Sequence, residues 1–168
     1  MPCSNRGFTL VELLIAIAVG MVLAAAGIPS LNSYLRRQTL IQAAENLKSD
    51  LRRVQTMAIG GSKSTPTATQ SSCWGVRTGG TCPANNYCMA SYGIASPCAV
   101  ADYSLYKQVK LGDSRVGVSA GEVVFQRLTG FVSSAVTFTL SLSGSTCTIT
   151  VDVSATGSVA VGSLTGSC

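Results

Sequence analysis

The chain opens on an apolar run with a single polar interruption of consequence. From Phe8 to Ile28 the sequence FTLVELLIAIAVGMVLAAAGI holds 21 residues, and Glu12 is the sole charge among them. Leu, Ile, Ala, Met and Val dominate the run and suit a helix. At 1.5 Å per residue that helix would span about 32 Å, close to the hydrocarbon thickness of a bilayer. Gly20 and Gly27 loosen it, and Pro29 is expected to kink or bend it. Past the proline the period stays helical while the character changes. Leu40, Ala44, Leu47, Leu51, Val54 and Ala58 recur at three- and four-residue spacing, an amphipathic stripe. Arg36, Arg37, Lys48, Arg52 and Arg53 fall mostly off that stripe, with Glu45 and Asp50. Gly60-Gly61 ends the pattern. The reading is one spine of about 50 residues, membrane-embedded in its first half and packed against a head in its second.

The pattern after Gly61 is different. SKSTPTATQSS is a loop signal. CWGVRTGGTCPANNYCMASYGIASPC is rich in Gly, Pro, Asn and Ser and has no strong period, so it reads as short strands and loops. YSLYKQVKL and RVGVS are further strand candidates, and GEVVFQRLTGFV gives a strand and a turn. AVTFTLSLSG alternates strictly, with Val136, Phe138, Leu140 and Leu142 on one face and Thr137, Thr139 and Ser141 on the other. STCTITVDVSATG alternates through Cys147, Ile149, Val151 and Val153, and Gly144-Ser145 between the two suggests a hairpin. ATGSVAVG adds a short closing strand. The expected fold class is α+β: a long spine helix with its amphipathic half on one face of an antiparallel sheet.

Composition narrows the chemistry. There is no His among the 168 residues, which removes His-dependent nucleophilic systems and His-ligated metals. The acids are few and scattered, and no phosphate-cradling loop is present, so an enzyme is not expected, nor a cofactor. The net charge of +5 is modest and does not establish nucleic-acid binding. The cations on the spine read as a solvated helix face with local pairs such as Glu45 with Lys48. Of seven cysteines, Cys3 precedes the apolar run, and Cys73, Cys82, Cys88, Cys98, Cys147 and Cys168 follow it. No C-x-x-C pair exists, which argues against zinc, and an even number beyond the run fits disulfides in an exported body.

Glu12 decides among three readings of the N-terminus. A conventional signal peptide has Arg6 ahead of an apolar core and Ala24-Ala25-Ala26 as a cleavage-like site, but its core should be uncharged. A plain membrane anchor gives no reason to retain a carboxylate that costs a few kcal/mol in lipid. The stretch GFTLVELLIAIAVG instead resembles the class III signal of type IV pilins and pseudopilins. That resemblance implies cleavage by a prepilin peptidase between Gly7 and Phe8, and N-methylation of Phe8. It also implies the family's acid at the fifth mature position, Glu12, and its proline at the twenty-second, Pro29. The chain would divide into a leader (1–7), a transmembrane and assembly helix (8–30), an amphipathic half-spine (31–60) and a disulfide-bonded head (61–168). A buried amine and a buried carboxylate are each costly alone, and pairing reduces the cost. In the resembled family the acid of an incoming subunit meets the amine of a neighbour, so Glu12 would register assembly.

A second resemblance covers more of the chain. AAENLKSDLRRVQTMAIG, VVFQRLTGF and CTITVDVSATGSVAV are similar to the GspH/FimT minor pilins and pseudopilins, with Phe125 before Gly130 and a strand–Gly–strand close at Gly157. The cysteine-dense insert from Cys73 to Cys98 departs from that pattern. The resemblance implies a minor pilin of a type IV pilus that helps to prime the filament or sits near its tip. A type II secretion pseudopilin and a DNA-uptake pilin are the alternatives. The DNA-uptake subgroup carries a Gly-Arg-x-Arg motif near the C-terminus, where this chain has Gly157-Ser158-Val159-Ala160, so DNA binding is disfavoured. Implied partners are other pilins, prepilin peptidase, an inner-membrane assembly platform, and membrane lipid before assembly. The implied location is the bacterial inner membrane with the head periplasmic, then a pilus or pseudopilus. The six cysteines beyond the run admit more connectivities than sequence can choose among. Strand position favours Cys147 with Cys168, which would pin a fraying end, and leaves the other four to pair within Cys73–Cys98.

Overall fold

A computed structural model describes residues 8–63, 72–93, 98 and 103–168, and the side chains of residues 24–30 are outside that description. The expected leader with Gly7, the Pro29 side chain and most of the expected loop at 62–72 therefore lie outside the described residues. Two compact units divide the chain, Met1–Arg36 and Arg37–Cys168.

One helix, α1, runs Leu10–Ile59, and its helical backbone continues through Pro29. In the first unit every described side chain of the helix is exposed, including Leu10, Leu14, Ile15 and Val22. Among the described residues no helix is long and apolar enough to cross a membrane.

In the second unit the expected stripe is the buried one. Leu40, Ala44, Leu47, Leu51, Val54 and Ala58 are fully buried, joined by Ala43. Burying such side chains in a close-packed core is worth roughly 1.5–3 kcal/mol for each Leu or Val. Gly60 and Gly61 end the helix, Gly61 at φ +66°, with the Ser62 amide closing on the Met57 carbonyl.

The stripe packs on two antiparallel sheets, where the sequence pattern had suggested one. The first has the order β3-β2-β1-β5, with β1 at Trp74–Thr78, β2 at Asn86–Tyr92, β3 at Tyr103–Lys110 and β5 at Gly121–Phe125. The second has the order β4-β6-β7-β8, with β4 at Val116–Val118, β6 at Val136–Leu142, β7 at Thr148–Val153 and β8 at Val159–Val161. The turn after β5 carries the chain from one sheet to the other. It uses left-handed residues at Leu128 (φ +66°) and Gly130 (φ +69°), and Phe125 still bridges Val132 beyond it. Both sheets and the helix stripe share one core.

The β6–β7 hairpin follows the expected alternation. Phe138, Leu140 and Leu142 face the core with Ile149, Val151 and Val153, while Thr137 and Ser141 are exposed. Strands β1 and β2 show no period because they are covered on both faces. Val76 and Met89 enter the main core, and Ala90 and Tyr92 enter a smaller cluster with Cys73, Cys98, Tyr103 and Val124.

Candidate functional site

The sequence singles out the N-terminal end of α1. Thr9 stands just before the first helical residue, and its hydroxyl accepts the Glu12 backbone N–H at 3.2 Å. Thr9 is thus the cap and Glu12 the third helical residue, the spacing of a capping box. Glu12 is also the acid of the first turn, where the helix dipole favours negative charge. Phe8 is 83% exposed, and the apolar side chains that follow, Leu10, Val11, Leu13 and Leu14, have no core to enter in their own unit. The end of the helix is therefore one carboxylate on an otherwise greasy, unpartnered rod. Thr9 was missed by reasoning from the run alone, although Thr-x-x-Glu was legible in it.

The six cysteines beyond the run are joined as Cys73–Cys98, Cys82–Cys88 and Cys147–Cys168, with Cα separations of 6.1, 5.9 and 4.9 Å. The Cys147–Cys168 link lies beside a second tie, since Thr148 and Thr165 exchange backbone hydrogen bonds at 2.9 Å. Among the described residues no group of His, Cys, Asp and Glu could hold a metal ion.

The two glycines picked out in the head, Gly130 and Gly157, meet at the helix. Gln55 donates its amide to the carbonyls of Gly130 at 3.2 Å and Gly157 at 3.0 Å. Gly157 has φ +82°, and a Cβ there would collide with the Gly130 carbonyl and the Gln55 side chain, so both the conformation and the space demand glycine. The Leu128 amide donates to the Ala58 carbonyl at 3.0 Å and Arg52 reaches the Val159 carbonyl at 3.4 Å, so the last turns of the helix hold both loops. Gln55 lies beside the stripe rather than on it, and nothing in the apolar period marks it. Ser158 and Ala160, in the places where the DNA-uptake pattern has arginines, are exposed and uncharged.

Two polar clusters tie β-strands to their surroundings. Tyr87 on β2 donates to Asp50 on the helix at 2.8 Å, and burial, then that bond, push its hydroxyl well above the usual tyrosine range. On the outer side of the first sheet Arg77 and Tyr92 both donate to Glu122 at 2.7 Å, and the Arg77 guanidinium stacks over Tyr103 at 4.5 Å. The Glu122 bond raises the Arg77 pKa, and burial followed by the same carboxylate raises that of Tyr92. Every charge in this group is satisfied, which makes it a cross-strand brace. The pair anticipated on the helix face, Glu45 with Lys48, forms at 3.0 Å and is largely solvated.

The described residues give an N-terminal helix whose later half packs on antiparallel sheets, with an acid in its first turn. A family model of the prokaryotic N-terminal methylation motif matches residues 3–28. The match supports the pilin-like class, type IV pilin or pseudopilin, and with it a structural subunit rather than an enzyme. No curated protein and no solved structure matches the chain.

Proposed function

We propose that the chain is a minor pilin of the GspH/FimT kind, assembled into a type IV pilus through its N-terminal helix. The observation that carries the reading is the methylation motif over residues 3–28, which overlaps the exposed apolar start of a helix whose later half is fully committed to the head. Prepilin peptidase cuts between Gly7 and Phe8, and the new Phe8 amine is methylated. The apolar segment, which in sequence continues to Ile28, waits in the inner membrane with the head outside. It then leaves lipid for the helical core of a filament, near its tip. Glu12 meets the amine of a neighbouring subunit and sets the register, because a cation and a carboxylate that are desolvated together cost less than either alone. The disulfide-bonded head supports an oxidising destination. A GspH-like pseudopilin would share all of this machinery; copurification with sheared pili at low stoichiometry is the outcome expected of the minor pilin and not of the pseudopilin.

Intact-mass and N-terminal analysis of the protein from its own membranes tests the processing. A chain beginning at methylated Phe8 is expected, and one beginning after the alanine triplet at residues 24–26 overturns the reading. Glu12→Val is expected to insert in the membrane but to enter filaments poorly, and undiminished incorporation in a pilus pull-down would defeat the role given to Glu12.

A further inference from the structure

The stretch of α1 just past the apolar run has a composition of its own. Leu31, Tyr34 and Leu35 recur at helical spacing and are 57%, 57% and 52% exposed. Arg36 follows, exposed and in no ion pair among the described residues, and Arg37 is next in sequence. The buried stripe begins only at Leu40. A solvated helix face has no use for Leu31, Leu35 and the ring of Tyr34 together. A simple extension of the apolar run would not carry adjacent arginines. Two leucines flanking a tyrosine ring, followed at once by cations, is the mixture met where hydrocarbon gives way to the headgroups.

Length agrees with composition. From Leu10 to Arg36 the helix advances 26 residues, roughly 39 Å along its axis. A bilayer with its headgroup layers is about 40–45 Å thick. A helix that starts in one headgroup layer therefore delivers Arg36 to the other. The disulfides place that second layer on the oxidising side. Lys and Arg normally gather on the cytoplasmic side of a membrane segment, so topology does not account for arginines there. Phosphate does: the guanidinium is a planar fork that binds its oxygens in pairs.

We propose that Tyr34, Arg36 and Arg37 form a collar that docks on anionic phospholipid headgroups of the outer leaflet and holds the subunit at a fixed depth before assembly. The inference rests on the membrane-inserted subunit described under Proposed function. It adds to that reading a lipid partner and a cost to extraction, since entry into a filament strips the collar of its headgroups.

The test uses the full chain, reconstituted in phosphatidylcholine vesicles with and without phosphatidylglycerol as a minority lipid, and carrying a benzoylphenylalanine photocrosslinker in place of Tyr34. The native arginines are expected to enrich crosslinks to phosphatidylglycerol above its mole fraction, with the enrichment falling as salt rises. Arg36→Gln and Arg37→Gln should each lower it by about fivefold, while the Arg36→Lys, Arg37→Lys double variant should keep most of it. Lipid-blind crosslinking by the native chain, enrichment unchanged in the double Gln variant, or crosslinks only to a second copy of the protein would each overturn the collar. Carbonate-resistant membrane association and cleavage by prepilin peptidase are read on the same samples. An inserted, processed chain with no lipid preference sinks the collar alone; a chain that is neither inserted nor processed sinks the reading it rests on.

Discussion

Leu14 and Leu51 are the same residue in the same helix, yet Leu14 is 58% exposed and Leu51 fully buried. The difference lies in how apolar residues are distributed around the helix. Up to Leu23 almost every position of α1 is apolar, so no face is set aside for solvent. From Leu40 onward the apolar residues keep to a stripe that two sheets cover. A helix apolar all round has no satisfactory state alone in water, whereas a striped one is complete once its own chain folds over it. The first half is written for partners outside the chain and the second for partners within it.

Substitution should separate the two halves sharply. Leu51→Ala is expected to lower the stability of the head by about 2–5 kcal/mol, from lost burial and the cavity left behind. Leu14→Ala should leave it unchanged in urea unfolding followed by Trp74 fluorescence, so comparable losses from both would erase the distinction. Replacing Cys147 and Cys168 together by Ser should cost about 3 kcal/mol in the chain-entropy account of a closed loop. The same unfolding curves report it, and hydrogen exchange should rise first at Thr148 and Thr165. Gln55→Ala leaves the carbonyls of Gly130 and Gly157 without their donor and should cost about 1–3 kcal/mol, seen as a lower denaturation midpoint with an unchanged slope.

The smallest effect expected is at Asp113. Arg115 bonds its carboxyl and, with further help from the Arg115 backbone amide, depresses its pKa from the ordinary 3.8 to about 2. A depressed folded-state value means that the pairing favours the folded chain above the ordinary value, and that the contribution is lost as pH falls through about 2. Both groups lie on the surface, so thermal midpoints should barely move. NMR titration of the carboxyl carbon should show the low midpoint, and Arg115→Gln should restore the usual one.

Much of this architecture could be read from the residues. The stripe from Leu40 to Ala58 is the helix face in the core, and the alternation from Val136 to Val153 is the β6–β7 hairpin, because each has one covered face and so leaves a period in the sequence. The first sheet was less legible. Trp74, Val76, Met89 and Tyr92 lie in strands buried on both faces, and such strands lose their alternation. The chain changes sheet on each side of the short β4 and again at residues 126–131, where Leu128 takes a left-handed conformation that no side-chain pattern announces. At the N-terminal end Glu12 drew notice because a charge in an apolar run is conspicuous, while the Thr9 hydroxyl that caps the same turn passed as one more small residue. Gln55 was invisible for a related reason: its partners are backbone carbonyls 75 and 102 positions away.

The Thr9 cap bears on the electrostatics of a cleaved chain. The first turn of any helix carries the positive pole of its backbone. Scission ahead of Phe8 would set a cationic amine within two residues of that pole, and methylation would not remove its charge. Two like poles would then crowd one tip, with Glu12 the single negative group at hand to offset them.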